Sequence, residues 1–264
     1  MTICIYILFP GAAVHRAGLD LHRATSNGHS ETITAIMQAL SPEDIYRALS
    51  ERDKSRSTPL HVAASNGRSE TITAIMQTLS PEDRYRALSM GDVWSSTPLC
   101  DAAILGHSET ITAIMQTLSP EDRYGVLSMR NEWGKTALHA AASNRHSETI
   151  TAIMQTLSPE DRYRALSERD KWGDTPLHLA TSNGHSATLR TLLVFSPEHL
   201  TSLWIGRKLM GTPRLEPFGQ EGIKLGRFTE TDITRLLGIK NARGQYCITH
   251  LLHVVSRISA ELFA

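Results

Sequence analysis

The sequence contains little of what metal sites, disulfide frameworks and membrane spans require. Its three cysteines lie at positions 4, 100 and 247, too scattered for a metal or redox motif. An odd number of isolated cysteines favours a reducing compartment over a disulfide framework. No run approaches the roughly 18 apolar residues that a spanning helix needs. No glycine-rich phosphate loop, nucleophile elbow or kinase signature is present. We therefore expect no cofactor and no membrane span.

The chain also has no excess of charge of either sign. It carries 27 basic and 27 acidic residues. Proteins that bind nucleic acids or anionic membranes through electrostatics present a broad basic surface. The balance argues against both kinds of partner, so we expect no nucleic-acid binding.

What the sequence does have is an internal repeat. Thr-Pro-Leu-His at residues 58–61 returns unchanged at residue 175 and with one residue altered at residues 97 and 136, so that successive copies are 39 residues apart. One further step back, at residue 19, the Leu, the His and an Ala of the motif survive. A second block, Ser-Glu-Thr-Ile-Thr-Ala-Ile-Met-Gln, begins at residues 30, 69, 108 and 147. A fixed period over this length predicts a tandem array of stacked units.

Each unit contains signals for helix starts and ends. Thr58 is suited to cap a helix that begins at Pro59, where a missing N–H costs nothing. Gly67 is suited to end it in the left-handed conformation. From residue 69 a second helix carries an apolar stripe, Ile72, Ile75, Met76 and Leu79. Residues 80–89 add a third short helix, because a capping Ser and a first-turn Pro precede two acidic residues.

The recurring Thr-Pro-Leu-His-x-Ala-Ala motif resembles the ankyrin repeat over residues 19–204, with units starting near 19, 58, 97, 136 and 175. The resemblance implies an all-α helical solenoid of about five repeats. Each unit is about six residues longer than the usual period of about 33. Long units of this kind are similar to those of bacteria that live inside eukaryotic cells. The resemblance thus implies a monomeric protein of the cytoplasm, or an effector secreted into a host cell cytosol.

The resemblance also implies a function, namely non-enzymatic binding of a protein partner through fingertip loops and inner helices. Repeats 2 to 4 are nearly identical in their second helices, so the informative positions are those that differ. The candidate partner-binding residues are Arg56, Asp92, Trp94, Asp101, Ile104, Leu105, Glu132, Trp133, Lys171 and Trp172. The three tryptophans form either an exposed hot-spot row or a set of contacts that pack finger on finger. Both interpretations stay open at this point.

Histidines are the other candidates for chemistry. His61, His139 and His178 lie in different units, and in similar repeats this residue hydrogen-bonds near the helix start. That structural role is favoured over metal or acid–base work. His250 and His253 share a helix face with Cys247 close by, but zinc would need a further ligand. We therefore expect packing there and no metal site.

The two ends of the chain break the pattern. Residues 1–18 form an irregular apolar segment or cap, because the run at residues 3–9 lacks the basic residue that precedes a signal sequence. A chain that starts inside a longer array is an alternative. The sequence of residues 205–264 predicts a loop rich in Gly and Pro, followed by a helical cap. A contrasting hypothesis is an enzyme whose active segment lies in residues 205–264, with the repeats recognising its substrate. A decayed or truncated gene product is a third.

Overall fold

The computed structural model describes residues 10–195, with side chains described from residue 13 onward. This part of the chain folds into helices without any strand, which confirms the predicted fold class. The helices are α1 Pro10–Asn27, α2 Ser30–Gln38, α3 Pro42–Leu49, α4 Pro59–Ser65, α5 Ser69–Thr78, α6 Pro81–Leu88, α7 Pro98–Leu105, α8 Ser108–Thr117, α9 Pro120–Leu127, α10 Ala137–Ser143, α11 Ser147–Thr156, α12 Pro159–Ser167, α13 Pro176–Ser182 and α14 Ser186–Val194. The expected C-terminal cap and the Cys247, His250 and His253 set lie outside the described residues.

The helices form three rows along the array. The inner row is α1, α4, α7, α10 and α13, the outer row is α2, α5, α8, α11 and α14, and the third is α3, α6, α9 and α12. Each helix packs against the equivalent helix of the next repeat. Residues 39 apart in sequence are therefore neighbours in space, and one repeat buries its apolar face only by stacking on another.

The inner helices begin as the motif predicts. In α7 the Thr97 hydroxyl accepts the Cys100 N–H at 3.3 Å, and Pro98 occupies the first turn. In α4 the imidazole of His61 takes part in the cap, because its Nδ1 accepts the Thr58 N–H at 3.1 Å. The inner helices of repeats 2 to 5 are short, so their stability depends on burial of residues such as Leu60 against neighbouring helices.

The outer helices supply large apolar side chains to the core. Ile72, Ile75 and Met76 of α5 are fully buried, and Leu79 is 5 % exposed. The same side chains recur in α8 and α11 and are buried there as well. This confirms the predicted apolar stripe and places the core between the inner and outer rows.

The third row gives the six additional residues of each unit a structural role. Ser80 caps α6 by accepting the Asp83 N–H at 3.1 Å, as predicted. Arg84 lies one residue further on, and its Nε donates to Met76 O at 2.6 Å while its Nη1 donates to Thr117 O at 3.1 Å. Arg84 thus joins the end of α5 to the end of α8 in the next repeat. Arg123 makes the same two contacts one repeat later.

The structure differs from the expected irregular segment at the start of the array. Residues 10–18 are helical and continuous with the inner helix of repeat 1. Ala13, Val14, Ala17, Leu21 and Ala24 are buried along one face of α1 at helical spacing. In repeats 2 to 5 the position equivalent to Leu19 holds a capping Thr, and a new helix starts at the position equivalent to Asp20. Repeat 1 has lost that signal, so the preceding helix runs through without a break.

The turn between inner and outer helices uses the left-handed conformation throughout. Gly67, Gly106 and Gly184 have φ of 66°, 80° and 68°. Arg145 occupies the equivalent position of repeat 4 with φ of 68°. An arginine is thus held in a conformation that suits glycine, and the fold does not relax to avoid it.

Candidate functional site

The fingertip loops between repeats share one local design. The Asp92 carboxylate Oδ1 accepts the N–H groups of Trp94 and Ser96, both at 2.8 Å. Asp53, Asn131 and Asp170 make the equivalent pair of bonds in the other loops. A side chain that bonds two backbone groups ahead of it fixes a tight turn. The candidate residue Asp92 is therefore half-buried and positions the loop.

Backbone hydrogen bonds link each loop to the next. The Glu132 N–H donates to Trp94 O at 2.9 Å, and the Lys171 N–H donates to Trp133 O at 3.1 Å. The Val93 N–H donates to Ser55 O at 3.2 Å in the same way. Because each bond crosses from one repeat to the next, the loops of repeats 2 to 5 form one continuous edge. A partner docking there meets a preorganised surface.

The three tryptophans lie exposed along this edge. Trp94, Trp133 and Trp172 are 53 %, 39 % and 37 % exposed. The rings of Trp94 and Trp133 stack with centroids 5.7 Å apart and planes at 24°. Lys135 Nζ lies 5.7 Å from the centroid of Trp172. Two of the indoles thus pack finger on finger and still present a face to solvent, so the two interpretations of the row are compatible.

The inner helix of repeat 3 extends the surface away from the loops. Asp101, Ile104 and Leu105 occupy positions three and four residues apart on α7 and therefore share a face. Ile104 and Leu105 are 38 % and 51 % exposed. Ser96 Oγ donates to Asp101 Oδ1 at 2.7 Å, which ties this face to the base of the Trp94 loop.

Asp101 carries a charge at a position that is apolar in three other repeats. The equivalent residues of repeats 2, 4 and 5 are Val62, Ala140 and Leu179, and repeat 1 has Arg23 there. Burial raises the pKa of Asp101 to about 6, which outweighs the hydrogen bond from Ser96 that favours the carboxylate. At neutral pH the position holds a poorly solvated negative charge, which is typical of a group that a cationic side chain would neutralise.

The remaining candidate residues occupy the rim. Arg56 and Lys171 are exposed and Glu132 is half-buried, each in a loop of a different repeat. The structure brings the ten predicted residues to one edge and one helix face. Sequence reasoning missed Val93, which is 43 % exposed beside Trp94. The signal in the sequence was that Val93 is apolar, whereas the equivalent residues of the other loops, Lys54, Glu132 and Lys171, are charged.

The repeat histidines have a structural role, as predicted. His61 Nδ1 accepts the Thr58 N–H, and its Nε2 lies 2.9 Å from Ser96 O in the next repeat, so Nε2 carries the proton. His139 is equally buried, and burial lowers its pKa to about 4. At neutral pH this imidazole is neutral, and both of its ring nitrogens are bonded to backbone groups. These residues join neighbouring repeats.

The described part of the chain shows neither a metal cluster nor a membrane span. Among its residues, no group of three or more His, Cys, Asp or Glu side chains is placed to hold a metal ion. None of the helices between residues 10 and 195 has the length and apolar character to cross a bilayer.

Comparison with known families agrees with this geometry. A family model of ankyrin repeats in three copies matches residues 21–124 and 120–201, which is more than half of the chain. A comparison with curated proteins gives no match. Ankyrin repeats generally act as protein–protein interaction modules, and their fold is typically non-catalytic. The chain, with its stacked helix pairs and its edge of linked loops, belongs to the ankyrin repeat family.

Proposed function

We propose that this protein is a non-enzymatic scaffold that binds a protein partner through the fingertip loops and inner helices of repeats 3 and 4. The observation that carries the proposal is the clustering of exposed apolar side chains. Nine large hydrophobic residues of the described part are exposed. Five of them lie on the loops and inner helices of these two repeats, where each loop is counted with the inner helix that follows it: Val93, Trp94, Ile104, Leu105 and Trp133. A concentration of exposed apolar side chains is typical of interaction sites.

The chemistry of the patch suits a protein partner. Tryptophan is enriched among residues that dominate binding energy, and the stacked pair of Trp94 and Trp133 is already ordered before binding. Asp101 offers a carboxylate beside this apolar surface. A partner segment with an Arg or Lys next to an apolar side chain would complement both features. Arg56, Asp92, Glu132, Lys171 and Trp172 form the rim of the same site.

The proposal extends to the setting in which binding takes place. The chain acts as a monomer in the cytoplasm, or in a host cytosol as a bacterial effector that binds host proteins. The long repeat unit supports the effector version through its similarity to ankyrin proteins of intracellular bacteria. The balance of 27 basic and 27 acidic residues supports a protein partner over a nucleic acid.

The test compares proteins captured by three forms of the intact chain from lysates of the source cell and of a eukaryotic cell. The double variant Trp94→Ala with Trp133→Ala should lose the captured partner while its helical circular dichroism stays unchanged. Leu19→Ala is the matched control, because Leu19 is 55 % exposed and Trp94 is 53 % exposed. That variant should capture the partner as the wild type does. Equal capture by the double variant would place the partner elsewhere on the chain.

A further inference from the structure

A second, polar site lies at the fingertip edge beside the tryptophans. It is a pocket of about 470 Å³ lined by Arg52, Arg56, Ser89, Gly91, Asp92, Val93, Ser95, Thr97, Met129 and Arg130. The lining contains three arginines and one carboxylate, and Arg130 also forms an ion pair with Glu168. The Asp92 carboxylate already accepts two backbone N–H groups through Oδ1. The pocket is therefore a cationic cavity with hydroxyl groups at its wall.

A break in an arginine ladder opens the pocket. Arg52, Arg130 and Arg169 recur at the same position of their repeats, and Gly91 occupies that position in repeat 3. Arg52 Nη1 donates to Gly91 O at 2.6 Å, and Arg130 donates to Arg169 O one repeat further on. Because Gly91 has no side chain, no guanidinium crosses from its loop to the next. The space between Arg52 and Arg130 stays open.

Backbone strain is concentrated at the same pocket. The turn position of each loop is left-handed, and Gly134 and Gly173 supply it in two loops with φ of 74° and 80°. Arg56 and Ser95 adopt it with φ of 58° and 56°, although side chains disfavour it. Both of these residues line the pocket. Arg56 forms no ion pair with a carboxylate of the described residues. Hydrogen bonds hold both turns in place, since the Arg56 N–H donates to Asp53 O and the Ser95 N–H donates to Asp92 O. Strained backbone held by its surroundings clusters at binding sites.

We propose that this pocket binds a phosphate monoester carried on a peptide segment of the protein partner. Arg130 is paired with Glu168, so Arg52 and Arg56 face Asp92 with an excess of one positive charge. A phosphate monoester carries a charge of about −1.5 to −2 at neutral pH. The planar donors of arginine match phosphate oxygens in pairs, and Ser95 adds a hydroxyl. The volume leaves room for the side chain that bears the phosphate. This inference rests on the proposed function only for the statement that the phosphate belongs to a protein.

The test is a nuclear magnetic resonance titration of the intact chain with a blocked tripeptide that contains phosphoserine. The amides of Gly91 and Ser95 and the arginine Nε–H signals should shift in a saturable way. The same tripeptide with serine should give no shift, and the glutamate version should bind at least several-fold more weakly because it carries half the charge. Inorganic phosphate is the third probe. Binding of inorganic phosphate without binding of the phosphoserine peptide would refute the peptide assignment.

Two variants separate binding from folding. Arg56→Gly keeps the left-handed turn that Gly134 and Gly173 already use, so the loop should fold and its melting temperature should rise. Its affinity for the phosphoserine peptide should fall about tenfold, since a charge-assisted hydrogen bond is lost. Arg169→Gln, one loop beyond the pocket, is the charge-matched control and should bind as the wild type does. Unchanged affinity in Arg56→Gly, or an equal loss in Arg169→Gln, would overturn the site.

The outcome is independent of the tryptophan surface. The titration uses no protein partner. If the phosphate site fails this test, the capture experiment with the Trp94 and Trp133 variant still decides the proposed function. Conversely, a tryptophan variant that loses its partner should still bind the phosphoserine peptide.

Discussion

Arg145 offers the sharpest test of how the repeats are built. In repeats 2 and 3 a glycine holds the left-handed turn, and the next repeat's histidine lies against it. A Cβ on Gly67 would lie 2.8 Å from His107 Nδ1, and one on Gly106 would lie 2.4 Å from His146 Nδ1. The imidazole therefore occupies the space that a Cβ would need. Arg145 has a Cβ at this position, so the histidine that follows it has to lie elsewhere.

The structure shows that displacement. His107 Nε2 lies 3.0 Å from Ser65 O, and His146 Nε2 lies 2.9 Å from Ile104 O, the equivalent atom one repeat later. His185 instead places Nδ1 3.1 Å from Ala142 O, one residue earlier in its helix. The ring has changed both the nitrogen it uses and the carbonyl it contacts.

Arg145→Gly should reverse the change and stabilise the array. A left-handed residue with a Cβ costs about 1–2 kcal/mol. The freedom that glycine adds to the unfolded chain takes back about 0.4–1 kcal/mol. Arg145 has no ion pair with Glu148 or with another carboxylate in the described region that would be lost. The net gain in free energy of unfolding is therefore about 0.5–1 kcal/mol, or about 1–4 °C in melting temperature.

Urea denaturation measures the gain, and the ¹⁵N shifts of His185 report which nitrogen is bonded. We expect a raised midpoint together with a switch of the His185 hydrogen bond from Nδ1 to Nε2. Gly106→Arg is the matched converse, because it introduces the same strain against His146 and should lower the midpoint. A neutral or destabilising Arg145→Gly would refute the reasoning. So would a stabilised variant in which His185 keeps its Nδ1 bond.

Three further predictions concern charge and the third helix row. Asp101→Asn should raise stability at pH 7 by about 2 kcal/mol in urea denaturation. The raised pKa of Asp101 means that its ionisation destabilises the fold as the pH rises from 3.8 to about 6. This gain should shrink as the pH falls to 4, and a constant gain would refute the linkage. The lowered pKa of His139 predicts stability that is lost as the pH falls from 6.5 to about 4. The residue equivalent to His139 in repeat 3 is the buried Cys100, so His139→Cys introduces a side chain that this position accommodates. This variant should lose less stability over the same pH range, and an unchanged dependence of stability on pH would contradict the assignment. Arg123→Leu should lower the free energy of unfolding by about 2 kcal/mol, because it removes two hydrogen bonds donated by a charged group. Arg47→Ala removes only an exposed ion pair and should change the free energy of unfolding by less than about 1 kcal/mol. Equal effects of the two arginine substitutions would contradict the assigned role of Arg123.

The repeat period made the architecture predictable from sequence. The residue types of Ser80 and Thr97 predicted helix starts, and both side chains cap their helices as expected. The apolar spacing of Ile72, Ile75 and Met76 identified the core, because a stripe at helical period has one way to face a neighbouring repeat. Recurrence at a 39-residue spacing then extended each local inference to every unit.

The parts that escaped prediction depend on contacts between repeats. The helix through residues 10–18 follows from the absence of a Thr-Pro start at Leu19, and an absent signal is hard to weigh against an irregular alternative. The choice between the two interpretations of the tryptophan row required the distances between loops, which one sequence does not contain. The cationic pocket at Gly91 required them as well. Comparison of equivalent positions, Gly91 against Arg52 and Arg130, was the signal for the pocket.

The central claim is that a protein partner docks on the edge formed by repeats 3 and 4. Site-specific photo-crosslinking tests it most directly, with a photoreactive amino acid placed at Leu105 on the proposed surface or at Gln116 on the outer helix α8. Both positions are exposed, so the two probes differ in location and not in access. The account predicts a discrete crosslinked protein from position 105 and none from position 116. A crosslink from position 116 without one from position 105 would contradict it.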